Sequence, residues 1–106
     1  MPDHQFVPDL SALLAAVPED SILSRTFYDG EDSRAVLFSF AAGQELSEHT
    51  ASSPAVIHFL SGEATLTLGD ETLDAKAGSW AHMPPNLKHS ILARTPVTML
   101  LMLVKK

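Results

Sequence analysis

From residue 22 onward, apolar and polar positions alternate in short runs, each closed by glycine, proline, aspartate or asparagine. Residues 35–42 place Val36, Phe38 and Phe40 on one face of a strand, and residues 63–68 place Ala64, Leu66 and Leu68 opposite Thr65 and Thr67. Gly69-Asp70 reads as a tight hairpin into residues 72–75. Further strands are expected at 22–28, 45–49, 56–60, 80–83, 89–93 and 97–104, separated by turns at 29–32, 52–54, 77–78 and 84–86. The run 56–60 is apolar on both faces apart from His58. Strands every ten residues or so, with turn signals between them, indicate an all-β sandwich or barrel.

The beginning of the chain differs. Residues 1–8 carry no periodicity and two prolines, and read as an arm. Leu10, Leu13, Leu14 and Val17 then recur at helical spacing, with Asp9 placed to cap and Pro18 to stop the segment. One short helix over 9–17, packed as a lid over one end of a barrel spanning 22–104, is the expectation. The 106 residues suffice for one domain and not for two.

Composition narrows the function classes. The formal charge of −6 opposes a nucleic-acid partner, which needs a basic face against phosphate. With no cysteine there is no disulfide, thiolate ligand or thiol nucleophile. The longest nearly apolar run, 97–104, falls far short of the roughly 20 residues of a membrane-spanning helix. The first six residues lack a basic and then apolar leader, so a cytoplasmic protein without a membrane partner is expected.

Histidine supplies the candidate chemistry. Four of the five, His49, His58, His82 and His89, sit within or beside expected strands. A buried neutral imidazole needs a partner for each ring nitrogen, and a borderline transition metal is one such partner. Gly43, five residues and His49, closed by Gly62, form one motif; Gly78, Pro84 and His89 form a second. Both resemble the paired motifs of the cupin superfamily, in order and with matching hairpins between them, over about residues 35–104.

The resemblance implies a double-stranded β-helix (a jelly-roll barrel) with one metal ion in its mouth. Ala51 and Ala55 stand where the family's second histidine and glutamate would be, and Asn86 and Ala93 replace a glycine and an asparagine. Asparagine at such a turn is expected, because it tolerates positive φ. In the family's topology, the strands carrying His58 and His82 lie side by side, so both are candidates to complete a four-nitrogen site with His49 and His89. The ion implied is a divalent transition metal: Zn, Fe, Ni, Mn or Cu.

Strand alternation sets a competing reading for His58. If position 55 points inward then so do 57 and 59, and His58 faces out onto a subunit interface unless Pro54 introduces a bulge. By alternation Glu45 shares the face of His49, about 13 Å away at the rim, and Glu48 faces away. Phe40, Trp80, Leu101 and Leu103 are expected to wall the pocket or, equally, to fill core, and Met83, Met99 and Met102 to fill core. His4 lies in the arm without a role, and Ser52, Ser53 and Ser90 form no nucleophilic arrangement with the histidines.

Two functions follow from the resemblance. One is a metal-dependent small-molecule enzyme of dioxygenase, isomerase or decarboxylase type. The other is a non-catalytic module that binds or senses a small ligand. A homodimer is expected with either, because strands apolar on both faces need cover.

Overall fold

The computed structural model describes residues 4–14 and 16–105. Among the described residues, nine antiparallel strands form two sheets: β1 (Ile22–Asp29), β2 (Ser33–Phe40), β3 (Glu45–His49), β4 (Ala55–Ser61), β5 (Glu63–Leu68), β6 (Glu71–Lys76), β7 (Trp80–Met83), β8 (His89–Ala93) and β9 (Val97–Val104). One sheet runs β1-β2-β9-β4-β7 and the other β3-β8-β5-β6. Their facing sides share one core. Phe40, Ile57, Phe59, Met83, Val97 and Met99 come from the five-stranded sheet, with Ala64, Leu66, Ala75, Ile91 and Ala93 from the four-stranded sheet. This is the all-β architecture that the alternation predicts, in the jelly-roll form that the resemblance implies.

The interior is packed with side chains. Phe40, Phe59, Ile57, Met83, Ile91 and Met99 are all fully buried. Leu101 and Leu103 pack against this cluster, as expected. Met83 and Met99 are core, as expected, but Met102 is not; it lies on the far side of the sheet and lines a surface cavity.

Cross-strand rows settle which side chains face outward. Arg25, Leu37, Leu100, His58 and Trp80 form one row across all five strands. Ala35, Met102, Val56 and His82 form a parallel row two residues away. Between them runs Val36, Leu101, Ile57 and Ala81, whose Ile57 is core. Residues opposite one another share a face and successive residues alternate, so both flanking rows point away from the core.

The expected helix over 9–17 is corrected to a single 3₁₀ turn, Leu10–Leu13. Asp9 caps it as expected, accepting from the Ser11 amide at 3.1 Å. Leu14 is already extended, with φ −118° and ψ 139°, and Ala15 lies outside the described residues. So short a segment cannot sustain a helix unless packing holds it, and none of the turn's residues is buried. The lid expectation is corrected too. The segment runs over the outer face of the five-stranded sheet, where the Arg25 guanidinium donates to the Leu13 carbonyl at 2.9 Å. His4, Gln5, Val7 and Leu10 there enclose a cavity of about 460 Å³ with Phe27, Tyr28, Ala35, Leu100 and Met102.

Candidate functional site

His49 ends β3, His89 begins β8, and the two stand directly opposite each other. Their ring centroids are 4.0 Å apart, with the planes tilted by 60°. The pairing depends on a bulge. Leu46 pairs with Ile91 and His49 with His89, so three steps along β3 match two along β8. Ile91 is core and Leu46 packs against it, so the extra residue returns His49 to the inward face that Leu46 occupies. Glu45, opposite exposed Leu92, faces outward. The expectation that Glu45 shares the face of His49 is thereby corrected.

The loops flanking the histidines are tied together. The Asn86 amide donates to the Ala51 carbonyl at 2.7 Å, joining the loop after β3 to the loop before β8. Both residues stand at positions where this chain departs from the motif. Asn86 takes φ 68°, the left-handed conformation expected of it. Gly69 of the β5–β6 hairpin bonds the Lys88 carbonyl at 2.7 Å, and Leu68 lies opposite His89 on its other side. His89 thus sits between an imidazole and a leucine on a three-strand platform.

The ring nitrogens have defined roles. His49 Nδ1 lies 2.9 Å from the Ser47 carbonyl, and His89 Nδ1 lies 3.0 Å from the Leu87 carbonyl. A carbonyl only accepts, so each Nδ1 carries a proton, which in the neutral form of an imidazole leaves the lone pair on Nε2. His89 is 6 % exposed. Burial, with a smaller contribution from the His49 charge, pushes its pKa below the ordinary imidazole value against the opposing pull of the Leu87 carbonyl. His89 is therefore held neutral, while His49 is exposed at the rim.

His58 and His82 are not brought to this pair. β4 pairs without irregularity from Ala55 through Phe59, so no bulge at Pro54 turns His58 inward. His58 lies opposite Trp80 and His82 opposite Val56, on the outer face of the other sheet. Among the described residues, no three His, Cys, Asp or Glu side chains gather closely enough to hold a metal. The four-nitrogen arrangement is corrected to a two-imidazole pair. Trp80 is 64 % exposed and lines a surface cavity with Leu73, Asp74 and Ser79 that neither His49 nor His89 lines. The pair stands at the edge of the inward face of its sheet, His49 exposed and His89 buried, beside a core filled by Phe40, Ile57, Phe59 and Ile91.

Comparison with known proteins agrees with this architecture. The cupin domain family, of the Cupin_2 type, matches residues 36–104. A cupin superfamily protein from Desulfitobacterium hafniense superposes with a TM-score of 0.85 at 26 % identity, over 100 % of this chain and 95 % of that one. A conserved Streptococcus pyogenes protein of unknown function gives a TM-score of 0.85 at 32 % identity, covering 99 % and 91 %. An RmlC-like cupin from Shewanella frigidimarina, 18 % identical, shares the fold with a TM-score of 0.76 over 80 % and 77 %. No curated protein matches the sequence. Among the described residues, no helix is long and apolar enough to cross a membrane.

Proposed function

The chain belongs to the cupin family, and from that premise we propose that its barrel rim binds a small organic molecule through a divalent transition metal held by His49 and His89. One observation carries the reading: two adjacent imidazoles whose Nδ1 atoms are both committed to backbone carbonyls, leaving both Nε2 atoms as donors. Imidazole ligands are commonly oriented in this way by an acceptor at the other nitrogen. The donor set fits Zn, Fe, Ni, Mn or Cu at two coordination positions and leaves the others open.

A bound ion would supply Lewis acidity or redox capacity at those open positions. The chain itself contributes orientation and protonation state. The Ser47 and Leu87 carbonyls hold the rings, and burial keeps His89 neutral and ready to donate its lone pair. Tag-free protein should retain metal that is lost in His49→Ala and His89→Ala but kept in His58→Ala and His82→Ala, as read by elemental analysis. Retention unchanged in His49→Ala would sink the reading.

The small number of protein donors favours a second reading, a metal-free ligand-binding module. Binding of a small molecule to chelator-stripped protein, abolished by His49→Ala, would select it. Under either reading we propose a homodimer formed by the outer rows that carry His58, Trp80, Val56 and His82, where Trp80 is 64 % exposed.

A further inference from the structure

We propose a small-molecule site apart from the histidine pair: the cavity between the N-terminal segment and the outer face of the five-stranded sheet binds a neutral aromatic alcohol of the phenol class. This cavity lies on the outer side of one sheet, whereas His49 and His89 stand on the inner side of the other. Its occupancy therefore does not depend on a metal at that pair.

The first argument is that this face is roofed but not filled. Ala35 and Leu37 point away from the core between the sheets, yet they are only 3 % and 0 % exposed. The N-terminal segment covers them. It is tied down by Arg25 at the Leu13 carbonyl and by Gln5, whose Nε2 donates to the Phe27 carbonyl. Val7 and Leu10 form the roof, and Ala35, Leu100 and Met102 the floor, of a cavity of about 460 Å³. A layer packed to interior density leaves no such space. The volume falls within the roughly 300–1,000 Å³ of small-molecule sites, whose apolar walls carry a few polar groups.

A bulge gives the second argument. Thr26 pairs with Val36 and Tyr28 with Ala35, so Phe27 is an extra residue in β1. In a regular strand, neighbouring residues point to opposite faces. Here Phe27 and Tyr28 both line the cavity, with Met102 on its floor. Two aromatic residues and a thioether favour an aromatic ring as the guest.

Charge selects a neutral one. Among the described residues, no Asp, Glu, Lys or Arg lines the cavity. A bound carboxylate or ammonium would lose its water there without a counter-charge. The nearby charges of Asp29, Arg34 and Lys105 pair with one another. Polar capacity comes from His4, Gln5, Tyr28 and Ser33. With its Nε2 on Phe27, Gln5 keeps its carbonyl oxygen as an acceptor, which matches a single hydroxyl donor on the guest.

The test titrates phenol into the full, tag-free chain and follows backbone amide shifts by NMR. Anisole, which keeps the ring and oxygen but cannot donate, and benzoate, which adds a charge, are the controls. We expect saturable shifts at Phe27, Tyr28, Leu100 and Met102. Anisole should bind about two- to tenfold more weakly, the span of one net hydrogen bond, and benzoate should not saturate the site. Met102→Trp, at a partly exposed floor position, should fill the cavity and abolish the saturable shifts. Gln5→Leu lies on the exposed segment outside the barrel core, so it tests the site even if Met102→Trp fails to fold. It should weaken phenol by about two- to tenfold. Shifts confined to residues around His49 and His89, benzoate binding as well as phenol, or unchanged affinity in Gln5→Leu would overturn the proposal. Shifts that follow protein concentration rather than phenol would overturn it too, because a second copy then covers the cavity.

Discussion

Gly62 and Gly43 both adopt positive φ, 86° and 82°, yet their surroundings differ. A Cβ at Gly62 would lie 2.0 Å from the Pro96 carbonyl oxygen, whereas a Cβ at Gly43 would meet nothing within 4 Å. Gly43→Ala therefore incurs only the left-handed penalty, about 1–2 kcal/mol. Gly62→Ala adds displacement of the backbone before β9 and should cost about 3 kcal/mol or more, a size typical of strained sites. Thermal unfolding of the two variants would check this; equal melting temperatures would refute it. At this scale the sequence was legible in part. The glycine positions and Asn86 declare their conformations through residue type, because few residues tolerate positive φ. His49 and His89 could be singled out because each ends a motif. Which nitrogen each ring presents could not, since that depends on the Ser47 and Leu87 carbonyls in the folded chain.

At the scale of elements, the bulge in β3 decides the site. Without it, alternation would turn Glu45 and Ser47 inward with His49 and expose Leu46. Leu46 is the only apolar side chain of that strand, so placing it on the same face as His49 requires one extra residue. That signal was present in the sequence, although no glycine or proline marked it. Deleting Glu48 should regularise the strand, leave His49 opposite His89 on the inner face, and remove the bulge that places the Ser47 carbonyl beneath its Nδ1. The expected outcome is a folded protein whose metal retention, read by elemental analysis, falls by about 10-fold to 100-fold, the usual effect of losing such support. A deletion variant that binds as well as the parent would show that the carbonyl contact is dispensable. In β4 the regular pattern was the better guide. Ala55, Ile57 and Phe59 are all buried, and His58 faces out because nothing interrupts their alternation. The short helix failed for the converse reason. Leu10 is used against the sheet by a chain that completes only one turn, and spacing alone does not distinguish that from a helix.

For the molecule as a whole, two long-range features carry predictions. Lys105, at the end of the described chain, pairs with Asp29 and donates to the Gly30 carbonyl, with Arg34 also 3.5 Å from Asp29. The Lys105 hydrogen bond leads the causes that hold the Asp29 carboxyl below its ordinary value. A depressed carboxylate stabilises the fold above its unfolded pKa of about 3.9, and that contribution is lost as pH falls below it toward the folded value. Asp29→Asn should thus flatten the loss of stability as pH falls below about 4, with little change at pH 7 if the exposed pair contributes as weakly as most do. Acid titrations that superimpose would argue against the clamp. The second feature is the outer face of the five-stranded sheet, where the described N-terminal residues line a cavity over β1, β2 and β9. Trp80→Lys should convert the proposed dimer to a monomer in size-exclusion light scattering without altering retention at the His49–His89 pair. A parent protein that is monomeric at working concentration would dispose of that interface.

The amino-acid order by itself determined the strands, their turns, the inward-facing core and the two motif histidines. These follow from period-two alternation and from residue types that tolerate few conformations. Only the tertiary structure decided that His49 reaches His89 through a bulge, that both rings offer Nε2, and that His58 and His82 belong to the opposite side of the other sheet. Those outcomes depend on register between strands distant in sequence, and a shift of one residue reverses the face of every side chain that follows.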